Sequence, residues 1–436
     1  MERVLWVCNI MLPAIAREIH LPYSNREGWL SGIFQRVQGA DKPFALGVCF
    51  PVQNLSALPA GERGGIGFTV QGIRCYGFRE DLSRPEKYDR GLEKVFGEII
   101  HDFKPDMIHI FGTEFPHCLA AVRAFGKPER TLIGIQGLCS EIARVYMAGL
   151  PEKVQKRVTF RDLVRRDSLT KQQEKFVLRG RNEAEALRGC GNITGRTRFD
   201  REGTKKRNPK AVYYPMNETM REEFYTGKWE PGNCEKHSIF LGQGDYPLKG
   251  MHFILEAMAR LLPDYPDVKL VVSGNNIIGN DSLKQRLKLS GYGKYLLELI
   301  RRYRLTEKVV CMGKLSAKEM KERFLLSSVF VCPSILENSP NTVGEAMLLG
   351  VPVVASDGGG IPDMVTDGQT GLLFPAGDSA ALAKAISRIW DEQEDGEGLT
   401  LAQRISIQAS GHAITVHDGE KNYVRLLQIY REILQK

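Results

Sequence analysis

Ser334-Ile335-Leu336-Glu337-Asn338-Ser339-Pro340-Asn341-Thr342-Val343-Gly344-Glu345-Ala346-Met347 decides how the chain is read. The apolar run Val329 to Cys332 before it reads as a buried strand. Ser339 and Pro340 suit an N-cap and a first helical position, because proline lacks only a donor that the first turn leaves unpaired. Asn341, Thr342 and Val343 would then point free backbone N–H groups out of a helix start, a ready anion site. Glu337 lies in the loop before that helix and Glu345 inside it, roughly 7–8 Å beyond Pro340 at ~1.5 Å of rise per residue. One carboxylate can therefore flank each side of an anion held at the helix start. Such a layout fits a ligand with sugar, phosphates and ribose in a line.

Working outward, the second half repeats the strand–loop–helix pattern. Ser238–Gly242, Lys269–Ser273, Val309–Met312, Val351–Ser356 and Gly371–Phe374 read as strands, with helices at Phe253–Leu262, Ala380–Trp390 and Tyr423–Leu434. The first half alternates in the same way, with strands at Val4–Cys8, Ala45–Phe50, Asp106–Gly112, Thr131–Gly137, Asn192–Thr197 and Val212–Pro215. Gly67–Cys75 is strand-like, and Leu92–Phe103 is an amphipathic helix. Alternating strands and helices predict parallel sheets with crossover helices. At 436 residues the chain exceeds the usual single-domain limit, and Thr226–His237, rich in glycine and proline and without periodicity, reads as the linker. The expected division is 1–232, 233–415, and a terminal helix 416–436 packing back on the first domain. The fold class is α/β: two Rossmann-like domains facing each other across a cleft.

Ligands of open α/β sheets gather at the carboxyl ends of the strands. His109, Glu114 and Gln136 are therefore cleft or acceptor candidates, and each can equally be a satisfied structural residue. Gly28, before a helix, suits a phosphate-approaching turn or an ordinary one.

Composition narrows the class. Apolar content of 42% and charged content of 26% are those of a globular protein. The nine cysteines are scattered, without metal-ligand spacing, so no metal is expected and the thiols read as reduced and cytoplasmic. No secretory leader and no run long enough to span a membrane is read. Much of the net charge of +8 lies in residues 151–188, which hold eleven Lys/Arg and six Asp/Glu. That segment is either a solvated helical face or a surface that meets an anionic membrane or lipid-diphosphate acceptor, placing the protein at the inner face of the membrane. Nucleic acid is not expected, since no recognition motif accompanies the charge.

The residues from Leu241 to Phe374 resemble the nucleotide-sugar-binding half of GT-B glycosyltransferases, in particular family 4 (group 1). The resemblance is carried, in order, by Lys249-Gly250, Glu337 through Glu345 as an E-x7-E pattern, Gly344-Glu345-Ala346-Met347, Gly350–Ser356, Gly358-Gly359 and Asp367–Leu373. The first half matches more loosely, through Gly28, Asp106–Gly112 and Gly195-Arg196-Thr197. The resemblance implies retaining transfer of a sugar from a nucleotide diphosphate sugar, with UDP favoured over GDP, to a glycan or lipid-linked acceptor of cell-surface polysaccharide. No cofactor is implied. Glu337 would hold the donor sugar's hydroxyls, Lys249 the diphosphate, and Glu345 the ribose, with Lys314 and Leu315 near the base. Ser339 and the amides after it would complete the donor site.

Two departures stand out. Relatives carry an arginine before the Lys-Gly pair where this chain has Gln243 and Asp245, so Lys249 acts alone or Arg196 reaches in. Gln136 stands where a histidine is common. The alternatives are a nucleotide-sugar epimerase recruiting Glu114 or His117, and a non-catalytic basic interaction protein.

Overall fold

The computed structural model describes residues 1–22, 28–39, 43–59, 61, 66–279 and 282–436. They form two compact units: 1–143, 175–219 and 418–436 make the first, and 144–174 with 220–417 make the second. The division thus falls at 219/220 rather than 232/233. Residues 144–174 go with the second unit, where Arg157 pairs with Glu298 at 3.0 Å and Asp162 accepts from the Gly291 amide at 2.9 Å.

The first unit is built on eight strands: β1 (Arg3–Val7), β2 (Ala45–Val52), β3 (Phe68–Val70), β4 (Ile73–Arg79), β5 (Met107–Phe111), β6 (Thr131–Gly134), β7 (Asn192–Gly195) and β8 (Val212–Pro215). Their order is β3-β4-β2-β1-β5-β6-β7-β8, and every pair is parallel except β3–β4. Gly67–Cys75 is therefore not one strand. Gln71 and Gly72, both at positive φ, turn it into a hairpin, as tight turns between antiparallel strands require. In β1, Val4 and Trp6 enter one core while Leu5 and Val7 enter the other, so helices must cover both faces. One cover is the terminal helix Gly419–Leu434, whose Leu426, Ile429, Tyr430 and Ile433 join the core of Trp6 and Phe111.

The second unit holds six parallel strands: β9 (Glu235–Leu241), β10 (Lys269–Ser273), β11 (Val309–Gly313), β12 (Ser327–Cys332), β13 (Val353–Ser356) and β14 (Leu372–Phe374). Their order, β11-β10-β9-β12-β13-β14, reverses direction at β9, a topological switch point. Because the strands are parallel, the loops after β9, β10, β11, β12 and β13 all leave the same edge. Helices Gly291–Arg302, Ala317–Leu325 and Leu401–Val416 complete the unit and were not read from sequence. The basic stretch 151–188 is three helices, Glu152–Gln155, Phe160–Arg165 and Leu169–Arg188, rather than one face.

Candidate active site

The site of the second unit is assembled from that shared edge. β12 is buried and delivers the loop carrying Ser334 and Glu337, and the helix after it runs Asn341–Leu348. Its N-cap is Pro340, not Ser339, one residue later than the sequence suggests. Extended backbone at Pro340 leaves its carbonyl to close the first turn, and the Val343 amide donates to it at 3.0 Å. Val343 is therefore not a free donor. The anion-facing amides reduce to those of Asn341 and Thr342.

Lys249 ends the short turn Pro247–Lys249 after β9, and its Nζ lies 2.5 Å from Glu337 Oε1. Ser334 Oγ donates to the same oxygen at 2.7 Å. Gly250 makes this approach feasible. It sits at φ +71°, and a Cβ there would lie 2.2 Å from the Pro333 carbonyl oxygen. Gly359 does the same on the other side: at φ +71°, its ideal Cβ would lie 2.1 Å from the Glu337 carbonyl oxygen. The Gly360 amide donates to that carbonyl at 2.9 Å. Burial by itself lowers the Lys249 ammonium, but the Glu337 carboxylate and Tyr246 outweigh it and hold the group above the ordinary lysine value. Lys249 is thus a fixed positive charge.

Glu345 is 3% exposed. Its Oε1 accepts from Arg221 Nη2 at 2.6 Å and Nε at 2.8 Å. Its Oε2 is buried without a hydrogen-bond partner among the described residues, and so is Asn341 Oδ1, one helical turn earlier. Residues four apart share a helix face. Two buried acceptors on one face, each costly if left unmet, call for a ligand that brings hydroxyl or N–H donors. Burial raises the Glu345 carboxyl to about 7 even with Arg221 pulling it down.

Around this core, Gln243 Nε2 donates to Asp245 Oδ1 at 2.8 Å, and Asn275 Nδ2 donates to the other Asp245 oxygen at 2.7 Å. The place expected for an arginine is therefore a polar network tied to Asp245. Lys314 and Leu315 follow the turn at Gly313 after β11, with Lys314 exposed. Ser339 is half-buried in the loop.

The candidates of the first unit group differently. His109, Gln136 and Arg196 line one cavity of about 20 Å³ at the carboxyl ends of β5, β6 and β7, room for about one water. Arg196 is ion-paired with Glu218, which also accepts from Gln136 Nε2 at 3.2 Å. Burial pulls the guanidinium down to about 10. His109 is a core residue whose Nδ1 meets the Tyr430 hydroxyl at 2.7 Å, and burial lowers it to about 3, so it stays neutral. Glu114 does not line this cavity. Its Oε2 is buried without a partner among the described residues, and burial raises the carboxyl to about 7. Gly28 opens the helix Gly28–Val37, but the turn before it, residues 23–27, lies outside the described residues.

Sequence reading missed Ser334, Arg221 and Glu218. Ser334 stood in the quoted stretch, three residues from Glu337. Arg221 gave no signal, since 124 positions separate it from Glu345.

Two parallel-sheet α/β units define the class: the GT-B fold. The whole chain shares it with sucrose-phosphate synthase from Thermosynechococcus elongatus, at TM-score 0.67 and 15% identity over 100% of each chain. It shares it also with Anabaena Alr3699/HepE in complex with UDP-glucose, at TM-score 0.63 and 15% identity over 99% of this chain and 100% of that one. More narrowly, residues 223–408 match the family model for glycosyl transferases group 1. The chain is 29% identical over 269 residues to a putative glycosyltransferase, YtcC, of Bacillus subtilis (strain 168). That match covers 57% of this chain and 62% of the relative, less than two thirds of its length.

Proposed function

We propose that the protein moves a sugar from a nucleotide diphosphate sugar to a glycan or lipid-linked acceptor, with retention at the anomeric carbon, in the synthesis of cell-surface polysaccharide. The observation that carries this reading is the pair of unmet buried acceptors, Asn341 Oδ1 and Glu345 Oε2, on one face of the helix start. A nucleotide's ribose supplies the hydroxyl donors they lack, and a carboxylate takes two at once. The same helix start offers the amides of Asn341 and Thr342 to the diphosphate. Lys249 lies against Glu337, between a role on the phosphates and one on the sugar hydroxyls.

In the proposed step the bond from the anomeric carbon to phosphate oxygen breaks, its electrons going to the leaving diphosphate. The acceptor hydroxyl bonds to that carbon from the same face, and its proton passes to a phosphate oxygen. Lys249 and the two amides stabilise charge that grows on the leaving group. Glu337 orients the donor sugar and Glu345 the nucleoside, while the acceptor is taken up by the first unit. A uridine nucleotide is favoured over a guanosine one; HepE, of like fold, is known with UDP-glucose. The match of residues 223–408 to the group 1 model favours transfer over epimerisation. An intact Lys249–Glu337 pair also speaks against a purely structural role.

Thermal shifts with UDP, GDP, ADP and their sugars, followed by transfer assays with the stabilising donor, test the reading, because a ligand stabilises according to its concentration over its dissociation constant. Glu337→Gln is expected to cut turnover by at least about a hundredfold while nucleotide affinity stays within a few-fold. Unchanged turnover would remove Glu337 from the site.

A further inference from the structure

The helix Phe160–Arg165 leaves Phe160, Leu163 and Val164 64%, 67% and 69% exposed. Single exposed apolar residues are ordinary, but three on six residues beside a run of arginines form a patch. The helix is also firmly held. Thr159 and Asp162 form a capping box, and Thr159 Oγ1 donates to the Leu289 carbonyl at 2.8 Å. Asp162, 2% exposed, accepts from the Gly291 amide at 2.9 Å, and Arg161 links Asp162 to Asp167 at 3.0 and 3.2 Å. The apolar side chains are therefore presented on a fixed mount rather than left on a loose loop.

Charge selects what they face. Residues 153–166 contain six Lys/Arg and one acid, Asp162. That acid is buried in the cap. Lys156 pairs with Glu152, Arg157 with Glu298 and Arg161 with Asp162 and Asp167, so the excess positive charge is that of Lys153, Arg165 and Arg166, the last two exposed next to Val164. Nucleic acid would satisfy the charge but not three aliphatic and aromatic side chains. An anionic bilayer satisfies both, with acyl chains below and phosphates at the level of the guanidinium groups.

We propose that this helix is a membrane-docking tip, in which Phe160, Leu163 and Val164 enter the headgroup–acyl boundary of an anionic leaflet and Arg165 and Arg166 bind its phosphates. The proposal stands on this surface alone and does not need the sugar-transfer reading.

The test is sedimentation of the full chain with phosphatidylcholine vesicles, with and without about one third phosphatidylglycerol. The expected result is binding to the anionic vesicles that weakens as salt rises, and little binding to phosphatidylcholine alone. F160S/L163S should lower the partition coefficient at least about tenfold at low salt. R165E/R166E should lower it similarly and flatten the salt dependence. Thermal shift by nucleotide, measured on the same variants, should be unchanged, which scores the donor site and folding separately. Absence from the anionic pellet overturns the proposal. So does binding that F160S/L163S leaves intact, or a self-associated species that this variant splits, which would make the face a contact between copies of the chain.

Discussion

At the scale of single residues, the arrangement at Glu345 departs from a simple picture of two carboxylates around an anion. Arg221 occupies one oxygen of Glu345 and leaves the other free, so the arginine orients the carboxylate and biases it toward its charged form. Burial nevertheless holds the carboxyl at about 7. If ribose hydroxyls donate to the ionised form, as proposed above, nucleotide affinity should rise with pH up to about 7 and then level off. Below that value it should fall by about tenfold per pH unit. Arg221→Gln removes the group that lowers the pKa, so it should move the midpoint upward, and Glu345→Gln should flatten the profile. Calorimetric titrations with nucleotide between pH 5.5 and 8.5 would measure this; a midpoint unmoved by Arg221→Gln would leave the arginine only a structural part.

At the scale of elements, the site depends on loops that approach more closely than a side chain permits. Gly250 and Gly359 let the Lys249 turn and the loop after β13 meet the Glu337 loop from two sides. Gly250→Ala adds a Cβ into the Pro333 carbonyl and forces alanine to positive φ. It should cost about 1–3 kcal/mol of stability and lower transfer by displacing Lys249 from Glu337. A melting curve and a transfer assay on the same variant would show both effects, and full activity would mean that the turn shifts without moving Lys249. Strands and loops of this unit were largely legible, because buried parallel strands read as short apolar runs with glycine turns after them. Helix Leu401–Val416 was not, since its buried face is largely alanine with Ser406 while Ile407 and Ile414 are exposed, which blurs the apolar period. The N-cap moved by one residue because proline serves at both positions and only backbone geometry chooses.

For the whole molecule, burial sets opposing pH trends. Glu114, Glu183 and Glu345 have raised carboxyls, and a raised carboxyl makes folding less favourable as pH rises from its unfolded value toward its folded one. His109 and His252, lowered to about 3 by burial, act in reverse and lose stability as pH falls below about 6.5. The trends overlap between about pH 4.5 and 6.5, so difference measurements are needed. Melting temperatures of Glu345→Gln and Glu114→Gln relative to the parent should be higher at pH 8 than at pH 5; a constant difference would show that these carboxyls are not raised. The sequence by itself determined the alternation of strands and helices and two α/β units, and it singled out the stretch from Glu337 to Glu345 as a candidate site, because periodicity and turn chemistry are local. Tertiary structure alone decided that Arg221 meets Glu345, that Arg196 is spent on Glu218, and that residues 144–174 join the second unit. Those outcomes depend on which buried charge finds which partner across the chain, and desolvation leaves no trace in local spacing.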